Sequence, residues 1–293
     1  MDLPQNIKVV NDFVQKYPFL DIELHPLETD TLVERVQNEA RNRMSMWDVL
    51  LGGGGMFRPL LEANLIASYH SPERQAVSDG LQDSEGLWAA YYINPYALAY
   101  NTSSVRDHEI PSKYSALLDP RWKSNRMAID SQAHGLLRAL AAAWGEDKAV
   151  AYLKRLAEQD PVMSRASIVA VDALHVGNVS LVIARFPVIH AYQKKLGSPI
   201  DWTFLGPVVA QIDAAILSAQ SRSPNAARLF VDFIQSKEGQ NGLAGVQQIP
   251  VRKDMEAGSK LIAKGHAWFI ERPDKHENFP ETVKLFREIF GLR

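Results

Sequence analysis

The stretch "GLWAAYYINPYALAYNT" (86–102) is long, apolar and aromatic, yet it carries Pro95 at its centre. A proline removes a ladder donor, so one central strand is a poor reading; two strands, or a crossover between two bodies, fit better. A second extended run, "PIDWTFLGPVVAQIDAAIL" (199–217), has the same character and carries Pro207. One run leaving near residue 94 and one returning near 207 predict a chain that starts an α/β lobe, builds a second and comes back. The expected division is 1–94 plus 208–270 for the first lobe and 95–207 plus 271–293 for the second.

The flanking segments support α/β lobes. "NIKVVNDFVQKY" (6–17) places Ile7, Val10, Phe13 and Val14 at helical spacing, and "FLDIELHPL" (19–27) alternates in the manner of a strand. Thr29 or Asp30 can cap a helix over "TLVERVQNEARN"; "MWDVLL" reads as a strand, the four glycines 52–55 as a turn, and "FRPLLEANLI" as a helix. Further on, "RMAID" reads as a strand, "SQAHGLLRALAAAWG", "DKAVAYLKRLAEQ" and "SIVAVDALHVG" as helices, and "VSLVIA" as a strand. The tail from "SPNAARLFVDFIQSKEGQ" is mostly helical. This alternation is the rhythm of a parallel sheet covered by helices.

Composition narrows the function classes. At 293 residues the chain exceeds the usual single core, and 46% apolar with 23% charged residues describes a globule. With 32 basic against 34 acidic side chains there is no electrostatic drive toward nucleic acid or an anionic membrane. The absence of cysteine excludes disulfides, thiolate metal sites and a cysteine nucleophile, and suits an oxidising compartment. No apolar run approaches the roughly 20 residues of a membrane-spanning helix. The histidines lack zinc-site spacing and there is no GxSxG elbow, so neither an enzyme nor a resident metal or cofactor is expected.

Six blocks then carry a resemblance: "WDVLLGGG" (47–54), "YALAYNT" (96–102), "IPSKYSALLDPRWKSNRMAI" (110–129), "SPIDW" (198–202), "PVVAQ" (207–211) and "AARLFVDFIQSKEGQNGLAGVQQIPVR" (226–252). In this order they resemble the solute-binding proteins of bacterial ABC importers, in the ferric-iron-binding-like group of type 2 periplasmic binding proteins. The resemblance implies two α/β lobes joined by a two-strand hinge, a periplasmic monomer, and ABC permease subunits as partners. Family members begin with a signal peptide and a first strand. This chain opens "MDLPQNIKVV", at the first helix, so the resemblance implies an N-terminally truncated form: trimmed, started elsewhere or decayed to a non-functional product. Iron-binding members also carry a Tyr-Tyr pair, which aligns here with Val188 and Ile189. Neither can ligate ferric iron, a hard acid that wants oxygen donors.

Candidate ligand groups follow. Arg185 ends the apolar strand; its charge cannot be neutralised, so it must find acceptors or an anion. Gly53 and Gly54 lie between a strand and a helix, where backbone N–H groups can cradle an anion. Asp130 or Ser131 can cap the helix through His134, presenting its N-terminal end to a ligand. Ser164 and Arg165 stand where family members contact ligand, and Trp88 and Tyr96 offer aromatic walls. The reading is capture of a small organic anion, a carboxylate or a phosphate or phosphonate, clamped by Arg185, the Ser131 helix end and the glycine loop. Ferric iron with a synergistic anion, held by Tyr91, Tyr92 and His134, is the alternative, with Tyr92 otherwise a hinge or ligand-facing residue.

Overall fold

The computed structural model describes residues 4–27, 29–195, 197–255, 267–275 and 279–292. In chain order the elements are α1 (Pro4–Lys16), α2 (Thr29–Arg41), β1 (Val49–Gly52), α3 (Phe57–Glu62), β2 (Ile66–Ala67) and β3 (Ala89–Asn101). There follow β4 (Met127–Asp130), α4 (Gly135–Trp144), α5 (Glu146–Ala157), β5 (Val162–Ser164), α6 (Ser167–His175), β6 (Leu181–Arg185), α7 (Phe186–Gln193) and β7 (Ile200–Thr203). The chain closes with β8 (Val208–Ser218), α8 (Pro224–Gln235), α9 (Lys237–Gly245), β9 (Ile249–Pro250), β10 (Trp268–Glu271) and α10 (Phe279–Ile289).

Two compact units emerge: Met1–Ile93, Gln211–Ala263 and Arg272–Glu277 form the first, and Asn94–Ala210, Lys264–Glu271 and Asn278–Arg293 the second. β10 therefore belongs to the second unit, where the expected boundary at 270 had placed it in the first. β3 is one 13-residue strand that runs through Pro95. The proline is tolerated because β3 changes partners around it: pairing with β9 ends at Ile93, and pairing with β6 begins at Tyr96.

In the first unit, β1 and β2 both pair antiparallel with β8, Val49 opposite Leu217 and Ile66 opposite Ser218. The expected strand at 19–27 is absent; that segment is irregular, with Leu20 and Ile22 leaning on the core as partly buried side chains. α1 buries Val9, Val10 and Phe13 against Phe230, Phe233 and Leu243 of α8 and α9, while Ile7, expected on that face, is exposed. Gln240 is fully buried and satisfied: its amide donates to the Tyr91 and Ile234 carbonyls and accepts from the Val251 N–H. That one side chain ties α8, α9, β3 and the segment after β9 together.

In the second unit, β4 lies parallel to both β5 and β6, and β6 pairs antiparallel with β3, giving the order β7-β3-β6-β4-β5. β4 is buried along its whole length, as expected of a strand with helices on its faces. α4 is almost wholly apolar and packs on that sheet; Gly145 at φ 88° ends it and starts α5, a backbone conformation that favours glycine. α5 carries Glu146 and Asp147 in its first turn and Lys154 and Arg155 in its last, which complements its dipole. Tyr114, Trp144 and Tyr152 meet edge to face, and both phenols donate to carbonyls, of Pro207 and Tyr114 respectively.

Phe13 is fully buried and touches the Tyr17, Phe230 and Phe233 rings at centroid distances of 5.0, 5.0 and 5.4 Å. Phe13→Ala is expected to cost about 3–5 kcal/mol of unfolding free energy. Chemical denaturation followed by far-UV circular dichroism reads this; a change below about 1 kcal/mol would show that α1 contributes little to the first unit.

Candidate functional site

The three parallel strands of the second unit end side by side, β4 at Asp130, β5 at Ser164 and β6 at Arg185. Beyond these ends begin α4, α6 and α7, so several helix N-termini collect at one sheet edge. Such an edge, with unpaired N–H groups and positive dipole ends, is where open α/β sheets bind ligands.

A hydrogen-bonded relay fixes the edge. The Asp130 carboxylate is 2% exposed; one oxygen accepts the Gln132 N–H at 2.9 Å and the other accepts the Ser167 hydroxyl. Ser167 Oγ in turn accepts the Arg185 N–H at 3.0 Å. Ser131 N–H donates to the Ser164 carbonyl at 2.8 Å, joining the β4 and β5 ends. Arg185 is therefore held by its backbone, and its half-buried guanidinium lies over the Tyr96 ring, Cζ 5.0 Å from the centroid. Tyr96 is the register partner of Arg185 across β3 and β6, and its hydroxyl donates to the Gln132 carbonyl at 3.1 Å.

Several expectations need correction. α4 starts at Gly135 with His134 at its N-cap, not at Ser131, because Asp130 spends its carboxylate on Gln132 and Ser167 and residues 131–134 form a turn. Nor is the α4 N-terminus open. The buried Glu271 carboxylate approaches it so closely that a Cβ on Gly135 would stand 2.5 Å from Oε2, and Arg138 pairs with Glu271 at 3.6 Å. An internal anion fills that position. Gly53 has ordinary backbone angles and faces the Asp213 carboxylate, 3.9 Å from where its Cβ would be. Gly54 begins a 3-10 turn. A carboxylate beside this loop disfavours an anion against it.

The remaining candidates divide clearly. Ser164 is buried and Arg165 exposed just before α6. Tyr91 and Tyr92 lie in the core of the first unit, 0% and 2% exposed, edge to face at 4.7 Å, with the Tyr91 hydroxyl donating to Asn6 Oδ1. Burial pushes Tyr91 well above the ordinary phenol range, which opposes the phenolate iron would need. Trp88 is buried in the same unit. Val188 and Ile189 sit on α7. Among the described residues, no group of three His, Asp or Glu side chains is placed to hold a metal ion.

Sequence reasoning missed Ser167, Arg138 and Glu271. Ser167 stands two residues past Arg165 at a helix start, a pattern that fits a capping role. Glu271 had no local signal.

A model of the bacterial extracellular solute-binding protein family matches residues 45–268. The chain belongs to that family. The major ferric iron-binding protein of Neisseria meningitidis serogroup B is 26% identical over 171 residues, 55% of this chain and 51% of the relative, so the chain spans about half the length of the curated relatives it matches. Iron-bound HitA from Pseudomonas aeruginosa superposes with TM-score 0.85 at 20% identity, covering 99% of this chain and 96% of that one. The periplasmic binding protein AfuA from Actinobacillus pleuropneumoniae, with fructose-6-phosphate bound, gives TM-score 0.78 at 22% identity, covering 100% and 97%. At these identities the likeness establishes the two-lobed periplasmic-binding-protein fold. In this solute-binding protein, among the described residues no helix is long and apolar enough to cross a membrane.

His134 is lowered to about 4 by burial and by the positive charges of Arg185 and Arg138, so its imidazole is neutral at pH 7. Its folded value lies below the ordinary 6.5, so the unfolded chain binds the extra proton first as pH falls. The stability it contributes is full above pH 6.5 and is lost toward pH 4. His134→Gln is expected to flatten the decline in melting temperature between those values; an unchanged slope would show that His134 is not the titrating group.

Proposed function

We propose that this protein is the solute-capturing component of an ABC importer and that its solute is a small organic anion, a carboxylate or a phosphate or phosphonate. The observation that carries the reading is Arg185: a permanent cation, fixed by Ser167 and laid on Tyr96, at the edge where α6 and α7 begin. A guanidinium offers paired N–H groups that match carboxylate and phosphate oxygens. The neutral His134 beside it supplies a donor without a charge that varies at neutral pH. Exposed Arg165 at the start of α6 adds positive potential at the rim. Capture and delivery need no chemistry. Importer function implies a periplasmic location and permease subunits as partners.

Ferric iron, bound by relatives such as HitA, calls for hard oxygen donors. The two adjacent tyrosines of this chain are packed into the core, and the edge around Arg185 is cationic. Both features favour an anion over a trivalent cation.

A thermal-shift screen of ligand-stripped protein against small carboxylates, phosphonates, sugar phosphates and ferric citrate tests this. A ligand at 100 times its Kd stabilises the native state by about 2.7 kcal/mol, enough to shift the transition visibly. An anion is expected to score, more weakly at high salt, and to lose about 30-fold or more in affinity in Arg185→Ala. A shift given only by iron salts and unchanged in Arg185→Ala would overturn the reading.

A further inference from the structure

Asn94 is the first residue of the second unit and lies on β3 two residues before Tyr96. Side chains two apart on a strand point to the same face, about 7 Å from each other. Asn94 therefore shares the face of Tyr96, the residue that carries the Arg185 guanidinium. β3 runs antiparallel to β6, and Tyr96 pairs with the last residue of β6, so Asn94 lies on β3 beyond the end of β6. Its side chain is only 8% exposed, yet its Oδ1 is buried with no hydrogen-bond partner among the described residues. A buried amide oxygen without a donor costs roughly the desolvation of that group, whereas the buried Asp130 carboxylate at the same edge is satisfied by Gln132 and Ser167. A dry acceptor on the same strand face as the residue that carries the Arg185 guanidinium is suited to a donor that arrives with the solute.

We propose that Asn94 is a specificity-determining contact, accepting a hydrogen bond from a hydroxyl or N–H group of a solute whose anionic group rests on Arg185. The inference builds on the anion reading above and narrows it. The solute is an anion with a donor group roughly one strand repeat, about 7 Å, from its charge. Hydroxylated carboxylates and phosphorylated polyols have this form; simple alkyl carboxylates and alkyl phosphates do not. A site built around a buried acceptor discriminates strongly against an analogue that leaves the acceptor unpaired.

The test uses two matched pairs of probes, sn-glycerol 3-phosphate against n-propyl phosphate and 4-hydroxybutyrate against pentanoate, titrated calorimetrically into the wild-type chain, Asn94→Leu and Arg185→Ala. The wild type is expected to prefer the hydroxylated member of a pair by about 10- to 100-fold. Asn94→Leu is expected to abolish that preference, leave the plain anion within about threefold, and keep or raise the melting temperature, because an unpaired buried polar group is removed. Arg185→Ala is expected to weaken both members together. Plain and hydroxylated anions bound equally by the wild type through Arg185 would overturn the role of Asn94 while leaving the anion reading intact. A melting temperature lowered in Asn94→Leu with the preference retained would make the residue structural and overturn the role too. Binding of neither pair, or binding indifferent to Arg185→Ala, would sink both.

Discussion

The second unit is organised around a chain of three groups: the buried Asp130 carboxylate, the Ser167 hydroxyl and the Arg185 backbone amide. Each comes from a different element, the end of β4, the start of α6 and the end of β6, with β4 separated from the other two by α4, α5 and β5. A carboxylate is a strong acceptor, so it fixes the hydroxyl, and a fixed hydroxyl oxygen fixes the amide. The relay thus holds the sheet edge in register where a ligand would need it rigid. Pre-organised groups of this kind lose little entropy on binding.

Charge is distributed with the same economy. Arg138 and Arg185 both bear on His134, but they have different surroundings. Arg138 pairs with Glu271, whose carboxylate also lies against Gly135 at the start of α4. That pairing turns one guanidinium and one helix N-terminus into structure. Arg185 lies over the Tyr96 ring, whose quadrupole attracts a cation. In the first unit the glycine loop is faced by Asp213 and has the opposite polarity.

Much of the architecture could be read from the chain because the decisive features are local. The two proline-bearing apolar runs announced a chain that passes between two bodies, β4 and β6 stand out as short apolar runs, and α5 follows its hydrophobic period. Misreadings arose where distant residues decided the outcome. Leu20, Ile22 and Leu24 alternate as a strand does, but no neighbouring strand pairs with them. Ser131 has the chemistry of an N-cap, yet Asp130 is committed to Ser167, and the helix begins later. Glu271 reaches Gly135 from the far end of the sequence, which no local pattern can announce. Arg185 was conspicuous as a charge ending an apolar run. Its fixing by Ser167 and its stacking on Tyr96 emerged only with the strand register.

The central claim is that the edge formed by Asp130, Ser164 and Arg185 binds the anionic group of a solute. A crystal structure of the protein with the tightest-binding small anion tests it most directly. The account requires the carboxylate or phosphate oxygens within about 3 Å of the Arg185 guanidinium, with the Asp130–Ser167 relay unchanged. A ligand held elsewhere, with Arg185 turned to an internal carboxylate, would contradict it.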